Sequence, residues 1–134
     1  MNYWLMKSEP GAYSWDDMLK DGETYWDGVR NYQARNNLEA MKTGDLAFFY
    51  HSVKEKRVVG VVKIVKEHYQ DPTTDDDRWV AVDIQPEQTL NNPVTLEQVK
   101  ADDRLSNMAL VRTSRLSVQP VAKEEFEIIM QLAK

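Results

Sequence analysis

The sequence predicts an α+β domain, a small and strongly bent β-barrel flanked by short helices. Three observations carry that expectation. Strand-like segments of uneven length mix irregularly with short helical ones, which fits α+β better than a repeating βα pattern. Two capping signals mark the starts of short helices. No Pro/Gly/Ser-rich linker and no internal repeat divides the chain, so residues 1–134 are expected to form a single domain with one core.

Taken in order, Tyr3–Lys7 is a short apolar run that reads as a first strand, closed by a turn at Pro10-Gly11. Ser14 with Asp17 three residues later resembles a capping box and predicts a helix through Lys20. Asp21-Gly22 and Asp27-Gly28 are turn signals. From Asn31 to Met41, Ala34, Leu38 and Met41 fall on one helical stripe. Leu46–Tyr50 and the valine-rich Arg57–Glu67 read as strands, and Gly60 inside the second points to a bend or a close backbone approach. Asp71–Asp77, with four aspartates, reads as a solvated loop.

Trp79–Gln85 alternates, with Val80, Val82 and Ile84 on one face and Trp79, Ala81 and Asp83 on the other. Thr95 with Gln98 is a second capping box. Leu116 and Val118 alternate with Arg115, Ser117 and Gln119, which predicts a last strand ending before Pro120. Phe126, Ile129, Met130 and Ala133 form the buried stripe of a C-terminal helix.

Composition excludes several function classes. A chain 42% hydrophobic and 29% charged can bury a core and is not disordered overall. No run approaches the roughly 18–20 apolar residues of a membrane span, so no membrane partner is expected. The start lacks the pattern of a secretory leader. With no cysteine there are no disulfides, thiolate metal sites or cysteine nucleophiles, and a cytoplasmic, monomeric protein is expected. The net charge of −5 weighs against general attraction to duplex phosphates, although it leaves room for a local basic patch.

Catalytic templates fail as well. There are only two histidines, His51 and His68, and no nucleophile elbow, glycine-rich phosphate loop or metal-ligand spacing. No enzyme activity and no cofactor are expected.

The segment Gly28–Asn37 carries two arginines, an aromatic ring and amides, without an acid, in an otherwise acidic chain. Arg30 and Asn31 fit either an anion or base contact, or a helix start with Asn31 as its N-cap. Tyr32 fits stacking or packing, and Arg35 fits a ligand contact or a pair with Glu39 one turn on. Of the four tryptophans, Trp4 and Trp15 read as core, whereas Trp26 and Trp79 fit either packing or a wall for a flat base. Tyr50-His51-Ser52 closes one strand with polar tips, and Lys7-Ser8-Glu9 closes another. His51 fits a ligand contact or a strand-end histidine satisfied by backbone. Arg115 fits a phosphate contact or a pair with Glu9 or Asp83.

These stretches closely resemble the EVE domain family. The matching runs are Tyr3–Pro10, Trp26–Asn36, Phe49–Ser52 and Ser114–Pro120, with weaker matches at Asp71-Pro72 and Trp79-Val80. The resemblance covers essentially the whole chain. It implies a PUA-like fold, similar to the YTH and ASCH domains that read RNA or modified bases. It further implies a non-catalytic module that holds a modified base, such as methylated or hydroxymethylated cytosine in DNA. A modified RNA, such as a tRNA, and a free nucleotide are the other partners it leaves open.

Carried over residue by residue, the resemblance implies a pocket built by Lys7, Ser8, Glu9 and Pro10. Trp26, Arg30, Asn31 and Tyr32 form a second wall, Tyr50, His51 and Ser52 a third, and Arg115, Leu116 and Ser117 complete it. Within it Trp26 or Tyr32 would stack the base, Asn31 and Ser8 would bond its edge, and Arg30, Lys7 and Arg115 would face phosphates. The chain departs from the family pattern in loops: Val53–Arg57 lacks a glycine frequent in relatives, Gln70 replaces a proline, and Thr113 stands where glutamine is common.

Overall fold

The computed structural model describes residues 1–134. Six strands form one mixed sheet: β1 (Tyr3–Ser8), β2 (Thr24–Trp26), β3 (Leu46–His51), β4 (Arg57–Gln70), β5 (Val80–Thr95) and β6 (Val118–Val121). Five short helices accompany them: α1 (Trp15–Asp21), α2 (Tyr32–Ala40), α3 (Leu96–Ala101), α4 (Ala109–Arg112) and α5 (Lys123–Leu132). The strand order is β2-β5-β4-β3-β1-β6. The fold is α+β as predicted, but the sheet stays open, with β2 and β6 as its edges.

β1 and β3 are the parallel pair, in register from Tyr3↔Leu46 to Ser8↔His51, and the remaining pairs are antiparallel. A parallel pair requires a crossover, and here it runs from Glu9 to Asp45 and carries α1, β2 and α2. β4 and β5 are long and repeatedly shift register, at Val58/Gly60, Val61/Val62, Ile64/Lys66 and Lys66/Tyr69. Such irregularities bend strands and increase twist. α2 packs along the β6 edge, where Asn37 Nδ2 donates to the Val118 carbonyl at 2.7 Å.

The strand period of two divides the apolar side chains between the sheet faces. Trp4, Met6, Phe49, Val62 and Ile64 join Trp15 and Met18 of α1 and Ala34 and Leu38 of α2 in one cluster. Leu5, Phe48, Val58, Val61 and Val94 join Val99, Leu110, Phe126 and Ile129 of α3, α4 and α5 in another. The chain thus builds two clusters on one sheet, where a single core was expected. No helix is long and apolar enough to cross a membrane.

Local signals explain most boundaries. The Ser14 and Thr95 capping boxes both form. The α2 stripe of Ala34, Leu38 and Met41 is fully buried. Gly60 is a close approach: a Cβ there would lie 2.4 Å from Trp15 Cζ2.

Other expectations are corrected. The last strand starts at Val118, so Arg115, Leu116 and Ser117 lie in the turn before it and do not share a strand face. Pro120 sits within that strand, which is tolerated because β6 is an edge. Gln119 is fully buried, because helices cover the second face as well. Asp71 is fully buried, so the aspartate-rich loop is not solvated throughout. Met130 is half-buried beside the α5 stripe.

Candidate functional site

A cleft of about 550 Å³ opens where the curled sheet fails to close, a size typical of small-ligand sites. One wall comes from Lys7, Ser8 and Glu9 at the end of β1 and from Ser117 just before β6. The opposite wall is Thr24–Arg30, which is edge strand β2 and the turn after it, and Ala12 and Tyr13 form the floor between them. The cleft therefore lies between the two free edges of the sheet.

Each wall is fixed from behind. Trp26 makes a T-shaped contact with the buried Phe49, centroids 5.8 Å apart and planes at 90°, leaving the indole half-exposed at the cleft. Gly28, at φ 76°, turns its N–H onto Asp71 Oδ2 at 2.8 Å. Arg30 donates to the same oxygen at 3.0 Å and to its neighbour's carbonyl, that of Val29, at 2.9 Å. Thr73 donates its N–H and hydroxyl to Asp71 Oδ1 at 2.7 and 2.6 Å. Burial pushes the Asp71 carboxyl up, but the donors from Thr73, Gly28 and Arg30 overcome it and hold the group down to about 2. A buried anion thus anchors the Gly28–Arg30 wall.

On the facing wall, the Ser8 hydroxyl donates to the Tyr13 carbonyl at 2.5 Å, while its own carbonyl accepts from Ser52 N–H at 2.9 Å. Lys7 Nζ donates to the Ser114 carbonyl at 2.5 Å and forms no ion pair, and burial lowers its pKa. Gln119 Nε2 ties the same turn down by donating to the Thr113 and Leu116 carbonyls at 3.0 and 2.9 Å. The Tyr13 hydroxyl donates to Asp21 at 2.7 Å. Burial and that carboxylate push it up to about 12, so it stays a donor at neutral pH.

Of the fourteen residues named from the sequence, Lys7, Ser8, Glu9, Trp26, Arg30 and Ser117 meet at the cleft. The other eight stand outside its lining. Pro10 belongs to the turn below it. Asn31 is the N-cap of α2, accepting from Ala34 N–H at 3.0 Å. Tyr50 and Leu116 are buried in the two clusters. His51 Nε2 accepts from Trp15 N–H at 3.0 Å and Nδ1 faces Glu55 at 3.0 Å, which fixes the Nδ1–H tautomer and leaves no nitrogen free. Ser52 and Arg115 lie along the strand ends beside the cleft.

Tyr32 instead forms an exterior cluster. Its ring packs against Trp79 with centroids 5.1 Å apart and planes tilted by 34°, Arg35 lies over its ring at 5.1 Å, and Arg78 donates to its hydroxyl at 3.0 Å. Arg35 pairs with Glu39 at 3.8 Å, as one reading of the sequence expected.

Sequence reasoning missed Tyr13, Tyr25, Asp27 and the brace Asp71. Tyr13 lies between a turn and a helix cap and Tyr25 between two turns, outside the runs whose polar groups close a strand. Asp71 was hidden among exposed aspartates, and Asp71-Pro72 was the one hint that its position is special.

An open, strongly curved sheet with helices on both faces and a cleft at its seam defines a PUA-like domain. The chain belongs to the EVE domain family, whose model matches residues 2–132. It is 41% identical to thymocyte nuclear protein 1 of Mus musculus over 98% of this chain and 73% of that protein. A crystal structure of an Agrobacterium tumefaciens protein superposes with a TM-score of 0.97 at 46% identity, covering 99% of this chain and 93% of that one. Human thymocyte nuclear protein 1, solved in complex with 5-methylcytosine containing DNA, superposes with a TM-score of 0.91 at 39% identity, covering 100% of this chain and 98% of that one.

Proposed function

We propose that this protein is a non-catalytic reader of a modified base, with 5-methylcytosine in DNA as the leading target, and that the cleft between the sheet edges holds the base. The observation that carries the reading is the cleft itself: an indole held edge-to-face by Phe49 beside exposed hydrogen-bonding groups. The likeness to the human protein solved with 5-methylcytosine containing DNA supports the same reading.

Chemistry gives the wall residues roles. Trp26 stacks the heterocycle, a contact worth about 1–3 kcal/mol. The exposed carboxylates of Glu9 and Asp27 are acceptors, the complement of cytosine's exocyclic amino group. Arg30 shapes the wall, since it is bound to Asp71. His51, with both ring nitrogens occupied, is not free to act as a general base.

A base enters such a cleft only after leaving its stack, which costs a few kcal/mol in a duplex. At a net charge of −5 general phosphate attraction contributes little. Pocket contacts must therefore carry the selectivity, and unmodified duplex binds weakly. The test is a titration of oligonucleotides bearing plain, methylated or hydroxymethylated cytosine, or methylated adenine, each as DNA and as RNA. Preference for one modified DNA is expected, reduced about tenfold to a hundredfold by Trp26→Ala. Equal binding of modified and plain strands would defeat the reading, and preference for the RNA series would reassign the partner.

A further inference from the structure

We infer that the nucleotides flanking the bound base run along the strand ends past Ser8 toward α3, with their phosphates on Lys54, Lys56 and Lys100, and not over the arginine-rich side of the cleft. The inference rests on the reading of the cleft as a base pocket and adds the path of the chain.

The two sides of the cleft differ in how their cations are used. On the Arg30 side every arginine is neutralised: Arg30 by Asp71 at 3.0 Å, Arg35 by Glu39 at 3.8 Å and Arg78 by Asp76. Asp75 and Asp77 add two exposed charges to the same loop. A phosphate approaching there meets more carboxylates than guanidinium groups, despite the Tyr32–Trp79 aromatic pair.

The strand-end rim is the opposite case. Ser8, His51, Arg57 and Thr95 are paired in one row across β1, β3, β4 and β5. Three interstrand spacings of about 4.8 Å make that row about 14 Å long, or some four nucleotides at ~3.4 Å each. Lys54 and Lys56 lie in the hairpin joining His51 to Arg57, and Lys100 lies on α3 just after Thr95. These three lysines line a second hollow of about 400 Å³ together with Thr95, Leu96 and two carboxylates, those of Glu55 and Glu97. Lys7, one residue back along β1, and Arg115, in the turn before β6, lie near the Ser8 end of the row.

None of these five cations is in an ion pair; Arg57 alone on the rim is, with Glu55. The opposing carboxylates are Glu9, Glu55 and Glu97, and Glu55 is already shared between His51 and Arg57. The hairpin is also preshaped. Val53 and Lys56 have φ of 70° and 50°, Ser52 N–H donates to the Ser8 carbonyl at 2.9 Å, and Leu96 N–H donates to the Lys56 carbonyl at 2.8 Å. The loop that starts at the cleft wall is thus fastened at its far end to α3.

The test compares K54A/K56A/K100A with R35Q/R78Q, using a single-stranded DNA carrying one 5-methylcytosine within flanks of increasing length, and free 5-methyldeoxycytidine. Thermal melts establish that both variants are folded. The expected result is an affinity loss of about tenfold or more for the lysine variant on the long strand. Its plot of log K against log salt becomes shallower by about 2, near 0.7 per lost phosphate contact. Nucleoside binding stays unchanged, and the arginine variant matches wild type. An unchanged affinity and salt slope in the lysine variant, or a larger loss in the arginine variant, overturns the path. Failure of the pocket reading shows separately, as wild-type indifference to the methyl group.

Discussion

Replacing Asp71 by asparagine tests the brace behind the cleft wall. The wild-type carboxyl is fully buried and held at about 2, against 3.8 for an ordinary aspartate. Folding is coupled to that difference at about 1.36 kcal/mol per unit, so the charged form contributes about 2.5 kcal/mol. This is an upper figure, because the Arg30 side chain is 41% exposed and its share is screened by solvent. Because the folded value is depressed, the contribution is complete above about pH 5 and disappears as pH falls through 4 toward 2.

Asparagine also places an NH₂ where either the Gly28 and Arg30 donors or the two Thr73 donors now find an oxygen. Urea melts at pH 7 should show a loss of about 2–2.5 kcal/mol with an unchanged m-value. For 134 residues that corresponds to about 7–9 °C in Tm. At pH 3, midway through that loss, the gap should have narrowed by about 1 kcal/mol. A deficit below about 1 kcal/mol at pH 7, or one that persists undiminished at low pH, refutes the argument.

Four further outcomes follow from the same geometry. Gly60→Ala forces a methyl onto the Trp15 ring and should cost about 1–3 kcal/mol in denaturant melts. Asn31→Ala removes the α2 cap and should cost about 1 kcal/mol while leaving base selectivity intact, so a selectivity change would place Asn31 in the site after all. His51→Ala strips Trp15 N–H of its acceptor and should destabilise α1 by about 1–3 kcal/mol, seen as faster amide exchange at Trp15. Val53→Gly relieves a β-branched residue at φ 70° and should raise stability by about 1 kcal/mol, with the entropy of glycine limiting the gain.

What the sequence made legible was local. The capping boxes at Ser14 and Thr95 and the α2 stripe are each encoded within a few residues, and Gly60 marks a close approach whose partner, Trp15, lies far off in the chain. β2 was not legible, because three residues between two turns carry no periodicity and Trp26 finds its strand only by pairing with Val82. The C-terminal half of β5 was hidden by Pro86 and Pro93, which the register shifts accommodate. In the site, the end of β1 and the stretch from Trp26 to Arg30 were legible, whereas the aspartate that braces that stretch from behind was not. Nothing near Asp71 in the sequence indicates that its carboxylate turns inward to Gly28, forty-three positions away. Likewise, whether an arginine such as Arg30 or Arg78 is available to a ligand depends on which aspartate reaches it in space.

The parallel pairing of β1 with β3 has a consequence for how such a domain diversifies. Ten of the thirteen cleft residues lie in the single connection between those two strands. On the proposed reading, recognition is concentrated in the loops and edge strand of that connection, while its helices α1 and α2 bury their apolar faces in the core. Substitutions or insertions in those loops, away from the buried faces of α1 and α2, can retune what the cleft holds while the scaffold keeps folding, which makes the loops the natural place to graft or evolve a new specificity.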